Sequence, residues 1–309
     1  MSKFEDESKI VVFINSALDE IFGSDAPLYQ TRDRCEHHLQ ARCQEAWAGV
    51  LLVRLSHLRR LSVKYDNSDL IGDILRKAAQ RQQPFHRTLP FPYLTEVTAC
   101  AHGRLHWIES DLLTSFFYFP AVRRVNVFAV AETSAAPESF YALKFRQALL
   151  PSAETLRSLR LEGACSYKVV WYEDDREEDE ETVFGSFREF SGLQTLIVRY
   201  HFLLAQPSAD NEMLLLGILP ASLESLGITD IESDDYPNLV AELLRLVRHG
   251  PELFPRLNVI HLFVIDMCEG PLAALRTEFA LAGIGLTVEQ QQEEDWEHNY
   301  VFGRRKPFP

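Results

Sequence analysis

Residues 193–198 read Leu-Gln-Thr-Leu-Ile-Val, with apolar side chains at the first, fourth and sixth positions. The same spacing returns six more times, at Leu58-Leu61-Val63, Leu94-Val97-Ala99, Val122-Val125-Val127, Leu156-Leu159-Leu161, Leu223-Leu226-Ile228 and Leu257-Ile260-Leu262. A shortened copy, Leu286-Val288, precedes the end of the chain. Because side chains alternate between the two faces of a strand, each copy predicts a short strand with one apolar face.

Between these strands the chain has room for a helix in every repeat. The fourth positions of successive copies lie 26 to 37 residues apart, enough for a strand, a helix and two turns. Apolar residues at helical spacing favour helices over residues 69–82, 137–150, 237–248 and 271–281, with Gly250 and Gly283 just past the last two. We therefore predict an α/β solenoid with a parallel inner sheet and outer helices. A doubly wound α/β domain is the second interpretation, although no phosphate-binding loop follows any strand.

A shared lead-in supports the repeat. Phe91-Pro92, Phe119-Pro120 and Phe254-Pro255 each stand just before the first apolar position, where the fixed φ of proline suits the start of a strand. The side chain eight residues after that position is never Asn or Cys in the seven full copies. No asparagine ladder is therefore expected between turns of the solenoid.

The apolar phrase resembles the leucine-rich repeat, and its long, uneven spacing is similar to the repeat regions of fungal F-box-type proteins. Residues Ala46-Trp47-Ala48-Gly49 and Leu58-Arg59-Arg60-Leu61 carry this likeness, which spans residues 46–289. The resemblance implies a horseshoe-shaped solenoid that recognises substrates for a ubiquitin ligase and docks a Skp-type adaptor. The first 50 residues lack the Leu-Pro start of an F-box, so the F-box itself is not evident.

The chain divides into three parts. Residues 1–50 predict a helical cap over the open end of the core, with residues 34–55 forming one long helix. Residues 51–289 form the irregular solenoid, and residues 290–309 form a polar, flexible tail. Residues 173–181 contain eight acidic side chains and predict a solvated loop, whose role the sequence leaves open.

Composition excludes several classes of function. The 31 basic and 45 acidic residues give a net charge of −14, which argues against nucleic-acid binding. No apolar run reaches the roughly 18 residues that cross a membrane, and the acidic start does not resemble a secretory signal. Five scattered cysteines indicate free thiols in a reducing compartment, so a cytoplasmic or nuclear location is expected.

The sequence contains no motif of catalysis or metal binding. Cys35, His37, His38 and Cys43 are metal-ligating residue types, but their spacing matches no zinc pattern. Nucleophile elbows, Walker loops and His-Glu-x-x-His motifs are absent from the sequence. We therefore expect no metal, no cofactor and no enzyme activity.

The sheet face away from the apolar triplets is the expected binding surface. Alternation places on it a set of basic and aromatic residues, Arg60, Lys64, Arg124, Phe128, Arg160, Arg199, His261 and Phe263. Glu96 and Glu162 are the acids of these rows, so five basic residues leave a net positive strip. Such a strip favours an acidic or phosphorylated protein segment as the partner.

Three hypotheses of function follow. The first is a protein-interaction module, the substrate-recognition part of an F-box-like ubiquitin ligase. The second is a stand-alone scaffold or inhibitor with no link to a ligase. The third is an enzyme on an α/β fold, which would require a histidine or cysteine beside a carboxylate in a pocket.

Overall fold

The computed structural model describes residues 3–23, 29–41, 43–65, 69–101, 108–109, 113–131, 142–163, 184–204 and 215–290. The acidic run at residues 173–181, the cysteine at position 165 and the tail beyond residue 290 lie outside these ranges.

Within the described ranges, nine strands form one parallel sheet. They are β1 (Arg60–Tyr65), β2 (Glu96–Ala101), β3 (Ile108–Glu109), β4 (Arg124–Ala131), β5 (Ser158–Gly163), β6 (Thr195–Arg199), β7 (Ser225–Ile231), β8 (Val259–Val264) and β9 (Gly285–Gln290). Eight strands lie side by side in chain order, while the two-residue β3 pairs with the end of β4. A doubly wound sheet reverses its strand order, and the described strands show no such reversal.

The register confirms the repeat that the apolar triplets predict. Leu61, Val97, Val125, Leu159, Leu196, Leu226, Ile260 and Leu286 form one continuous row across the sheet. The first seven are buried, and six of these, all except Leu61, are fully buried. One face of the sheet therefore carries the core along its whole width.

The helices pack on that core. After the cap come α4 (Asp69–Ala79), α5 (Ala142–Leu149), α6 (Tyr200–Leu203), α7 (Leu215–Ile218), α8 (Tyr236–Leu253) and α9 (Glu269–Ala282). Buried residues of all six join one cluster with the apolar triplets, as Leu75, Leu243 and Leu275 do. This α/β layering is the one that the sequence predicts.

Of the two glycines predicted to end helices, Gly250 and Gly283, only one does so. The prediction that Gly250 ends its helix is wrong, because α8 continues through Gly250 and Pro251 to Leu253. Gly250 is buried, and its carbonyl accepts the N–H of Phe254 at 2.6 Å. Gly283 does terminate α9, with the left-handed backbone (φ 73°) that glycine tolerates.

Three helices precede the sheet: α1 (Lys3–Phe22), α2 (Tyr29–Gln40) and α3 (Gln44–Arg54). They share a separate small core that includes Ile14, Leu18, Leu39 and Val50. A single helix over residues 34–55 is wrong, because Cys43 adopts an extended backbone (φ −60°, ψ 121°) between α2 and α3. The break turns α3 back, so that α2 and α3 both pack against α1.

The lead-in prolines lie in turns rather than at the first strand residue. The N–H of Leu94 bonds the carbonyl of Phe91, and Val122 repeats this bond to Phe119. Proline therefore occupies the second turn position, which its fixed φ suits. The strands begin four residues after Pro92, Pro120 and Pro255.

Backbone carbonyls tie successive turns of the chain together in place of an asparagine ladder. The carbonyl of Arg59 accepts the N–H groups of both Thr95 and Glu96, at 2.9 and 3.3 Å. The carbonyls of Thr95, Arg123, Arg157 and Gln194 each accept two N–H groups from the next repeat in the same way. Single bonds from Asn258 to Glu224 and from Gly285 to Asn258 continue this carbonyl ladder to β9. It needs no particular side chain, which explains how the repeats align without asparagine.

Buried phenylalanines form a second link between repeats. Neighbouring rings lie 4.4 to 6.4 Å apart in two series, Phe85-Phe91-Phe119-Phe116 and Phe117-Phe145-Phe184-Phe187-Phe190. Aromatic pairs at such separations stabilise a core beyond the area they bury. The two phenylalanines of the lead-in, Phe91 and Phe119, belong to this stack.

Candidate functional site

The face of the sheet away from the helices carries seven of the eight residues that the sequence predicts for binding; the eighth, Lys64, has a side chain outside the described part of the structure. We call it the second face and divide it into rows by register. Row A is Arg60, Glu96, Arg124, Ser158, Thr195, Ser225, Val259 and Gly285. Row B is Ser62, Thr98, Asn126, Arg160, Ile197, Gly227, His261 and Thr287. Row C contains the residue two positions after each row B residue, namely Lys64, Cys100, Phe128, Glu162, Arg199, Thr229, Phe263 and Glu289. Its register is continuous from Lys64 to Glu162.

Exposure falls from row A to row C. No row A residue is buried, and the side chain of Arg60 is 79% exposed. In row C, by contrast, Phe128, Glu162, Thr229 and Phe263 are all buried. The accessible part of the second face is therefore the edge where the strands begin.

Three of the predicted arginines are held in ion pairs, and the pairs of Arg160 and Arg199 are largely buried. Nε of Arg160 donates to Glu162 at 2.6 Å, and the guanidinium lies 5.0 Å from the ring centroid of Phe128. Nε of Arg199 donates to Asp230 at 2.6 Å. These side chains are 11% and 22% exposed. The net positive charge of the strip is smaller than the sequence predicts, because Asp230 adds a third acid to this face.

Asp230 is the acid that sequence alternation misses. Alternation from Leu226 and Ile228 places position 230 on the core face. The pairing of β7 with β8 shifts register after Ile228, and Asp230 adopts a left-handed backbone (φ 57°). The carboxylate thereby reaches Arg199 on the second face. Aspartate tolerates this conformation better than most residues, which is the one signal that the sequence offers.

Buried apolar side chains lie on the second face as well. Phe128, Ile197 and Phe263 are each at most 6% exposed, yet none belongs to the core cluster under the helices. Ile197 leans over the neighbouring strand, where Gly227 has no side chain to obstruct it. The floor of this face is thus apolar between its ion pairs.

This packing predicts the effect of adding one methyl group. A Cβ on Gly227 would lie 2.8 Å from Cγ1 of Ile197, whose branched side chain has little freedom to move. We expect Gly227→Ala to lower the free energy of unfolding by about 2 kcal/mol in urea titrations. Ile197→Ala should cost less in the Gly227→Ala background than in the native chain. Equal costs would show that the two residues do not compete for space.

His261 sits between strands β7 and β9 in row B. Its Nδ1 lies 2.7 Å from Oγ1 of Thr287. Burial lowers the pKa of His261, while the neighbouring charge of Glu289 raises it by less. The imidazole is therefore neutral at pH 7, and a proton binds the unfolded chain more readily than the folded one.

Stability should consequently depend on pH through His261. The contribution of neutral His261 to the free energy of unfolding is complete above about pH 6.5, the pKa of histidine in the unfolded chain. This contribution is lost as the pH falls below that value. His261→Asn removes the titrating group, so the loss of stability between pH 7 and 5 should be smaller in the variant. Urea midpoints measured at both pH values test this, with His249→Asn on an exposed helix position as the control. An identical pH slope in the native chain and His261→Asn would contradict the burial argument.

No metal centre emerges from the described ranges. No group of three His, Cys, Asp or Glu side chains there is close enough to hold a metal ion. Cys35 is buried in the cap core, and burial raises the pKa of its thiol to about 11, which keeps it protonated and unreactive. The four described cysteines are free thiols. None of the described helices is long and apolar enough to cross a bilayer.

Comparison with known proteins gives no match: no family model, no curated protein and no solved structure resembles the chain.

Proposed function

We propose that the chain is a leucine-rich-repeat-type solenoid that binds another protein through its second face. The observation that carries the proposal is the single sheet of strands in chain order, with the described helices α4 to α9 packed on the opposite side. Stacked repeats of this kind present a long continuous surface, and such surfaces serve in recognition. Row A and the start of row B supply its accessible polar contacts.

The composition of this face favours a protein partner. Arginine side chains are common at binding hot spots, and the exposed Arg124 lies at the accessible edge of this face. The uncompensated cation Arg124 suits an acidic or phosphorylated segment. The net charge of −14 disfavours nucleic acid.

The specific role we favour is substrate recognition in an F-box-like ubiquitin ligase, in the cytoplasm or nucleus. Support comes from the repeat resemblance and from the three-helix unit in front of the sheet, which has its own core. This unit exposes apolar side chains, with Val12 at 69% and Leu51 at 56%. Contiguous exposed apolar residues mark sites of contact, and α1 exposes four in succession, from Ile10 to Phe13. A Skp-type adaptor is the occupant that we propose.

The alternative is a scaffold or inhibitor with no ligase, and adaptor binding separates the two roles. The intact chain, purified from its native cells with its bound proteins, should carry a Skp-type adaptor in the first role only. Leu51→Asp should release that adaptor without affecting the partner on the second face. The absence of any adaptor would leave the scaffold role. An adaptor that stays bound to Leu51→Asp would show that it docks away from Leu51.

A steric block tests the second face itself. Ser62 is exposed in row B, so Ser62→Trp places a bulky side chain there without changing charge or core. We expect roughly tenfold weaker partner binding, as for a disturbed hot spot. Thr277→Trp, on the exposed side of α9, is the matched control. Binding that is lost in the control and kept in Ser62→Trp would move the interface to the helices.

A further inference from the structure

Five arginines gather where the strands begin. Arg60 and Arg124 are the first residues of β1 and β4, and Arg59, Arg123 and Arg157 immediately precede β1, β4 and β5. The carbonyl ladder fixes these backbones beside one another. All five residues are exposed. We call this group the arginine rim; only two of its members belong to the rows that sequence alternation selects.

Most of the rim is not neutralised. Glu96, between Arg60 and Arg124 in row A, pairs with Arg60 at 3.2 Å. Among the described residues, no carboxylate lies within 4.0 Å of Arg59, Arg123 or Arg124. A chain with a net charge of −14 thus concentrates free cations at one edge of its sheet.

The position of Glu96 selects the type of anion. Glu96 stands in the middle of the rim with 26% of its side chain exposed. A phosphate dianion centred there would meet this carboxylate, and a long nucleic acid would meet the negative charge of the whole chain as well. Two separate carboxylates, one on each side of Glu96, avoid that repulsion. A basic side chain placed between these two carboxylates would pair with Glu96 itself.

The spacing of the strands selects the shape of the partner. Arg60 and Arg124 are two strands apart, about 10 Å. In a helix, residues i and i+7 share a face and lie about 10.5 Å apart, with i+3 and i+4 between them. An extended chain offers same-face spacings of about 6.7 and 13 Å, and neither fits.

Row A leaves room for the rest of such a helix. Beyond Arg124 it continues with the small residues Ser158, Thr195 and Ser225, none of them buried. A helix that crosses the strands can therefore continue from the charged end of the row over a shallow polar floor.

We propose that the arginine rim binds a helix of the partner protein that carries an acid, a base and an acid at i, i+3 or i+4, and i+7. The acids pair with Arg60 and Arg124 and the base with Glu96, while Arg59, Arg123 and Arg157 flank the contact. This inference rests on the proposed function, because it names the chemistry of the partner on the second face.

Designed peptides test it with the intact chain. The probe is a lactam-stapled alanine helix with Glu at i, Lys at i+4 and Glu at i+7, titrated while the side-chain N–H signals of arginine are followed by NMR. The first control has the same composition with Glu at i and i+5, on different sides of the helix. Two exposed ion pairs correspond to about fivefold tighter binding of the probe than of the control peptide. This difference in affinity should vanish at high salt.

Variants assign the effect to the rim. Arg60→Glu with Arg124→Glu should remove the preference, whereas Arg81→Glu with Arg248→Glu, the same charge change at exposed positions elsewhere, should retain it. Equal binding of the two peptides, or an unchanged preference in the rim variant, overturns the proposal. Tighter binding of a single phosphoserine peptide overturns it too, since phosphate would then be the ligand. In any of these cases, loss of the native partner in Ser62→Trp would still uphold the proposed function.

Discussion

Leu226→Asp is expected to unfold the protein. Leu226 is fully buried in the central row, paired with Leu196 on one side and Ile260 on the other. A carboxylate there has no partner in the apolar core, and its burial costs on the order of 5 kcal/mol or more. Domains of this kind are stable by only about 5 to 15 kcal/mol, so this one change removes most of the margin.

Circular dichroism during thermal melting and the yield of soluble protein measure this effect. Leu281→Asp is the matched control, since Leu281 is 79% exposed on α9. The control should melt within a few degrees of the native chain, because surface changes rarely alter stability by more than about 0.5 kcal/mol. A native melting temperature for Leu226→Asp would show that the apolar triplets are not the core.

Arg160→Glu should produce the second large effect, a loss of at least about 3 kcal/mol in the free energy of unfolding. Glu162 is only 3% exposed, and Arg160 is its ion-pair partner on the same strand. Breaking a buried pair leaves a desolvated charge, which costs about 3 to 5 kcal/mol, and the new glutamate adds repulsion. Urea titration of the purified variants measures the loss.

Two comparisons make this result specific. Arg124→Glu, at an exposed position whose side chain pairs with no described carboxylate, should change stability by no more than about 0.5 kcal/mol. Arg160→Met combined with Glu162→Leu removes both charges and should recover most of the loss, because apolar residues can replace a buried pair. If the double variant is as unstable as Arg160→Glu, the loss in the free energy of unfolding comes from lost packing and not from charge.

The sheet could be predicted from the sequence because its signal is local and repeated. Each apolar triplet places its residues on one face by alternation alone, and eight copies leave only one consistent register, from Leu61 to Leu286. Helix ends were harder to predict, since they depend on packing between elements. Gly250 looks like a stop in the sequence, but the core accepts it inside α8.

The candidate site could be predicted as a set of positions and not as a charge distribution. Alternation assigned Arg160 and Arg199 to the second face correctly, whereas their neutralisation depends on contacts between strands and on backbone geometry. Asp230 reaches Arg199 only because of a register shift and a left-handed residue, neither of which has a periodic signature. Alternation does not predict the arginine rim, because three of its members precede the strands, where alternation assigns no face.

The carbonyl ladder has a consequence for how the protein can change length. Every rung joins the main chain of one repeat to the main chain of the next, and no rung specifies a side chain. A repeat inserted or removed at such a junction therefore meets the same hydrogen-bond partners that its neighbours already use. The energetics are those of a linear array with nearest-neighbour coupling, so hydrogen exchange should proceed from the ends of the array inwards. Evolution can thus extend the second face of the sheet one strand at a time, in steps of about 4.8 Å, without redesigning the rest.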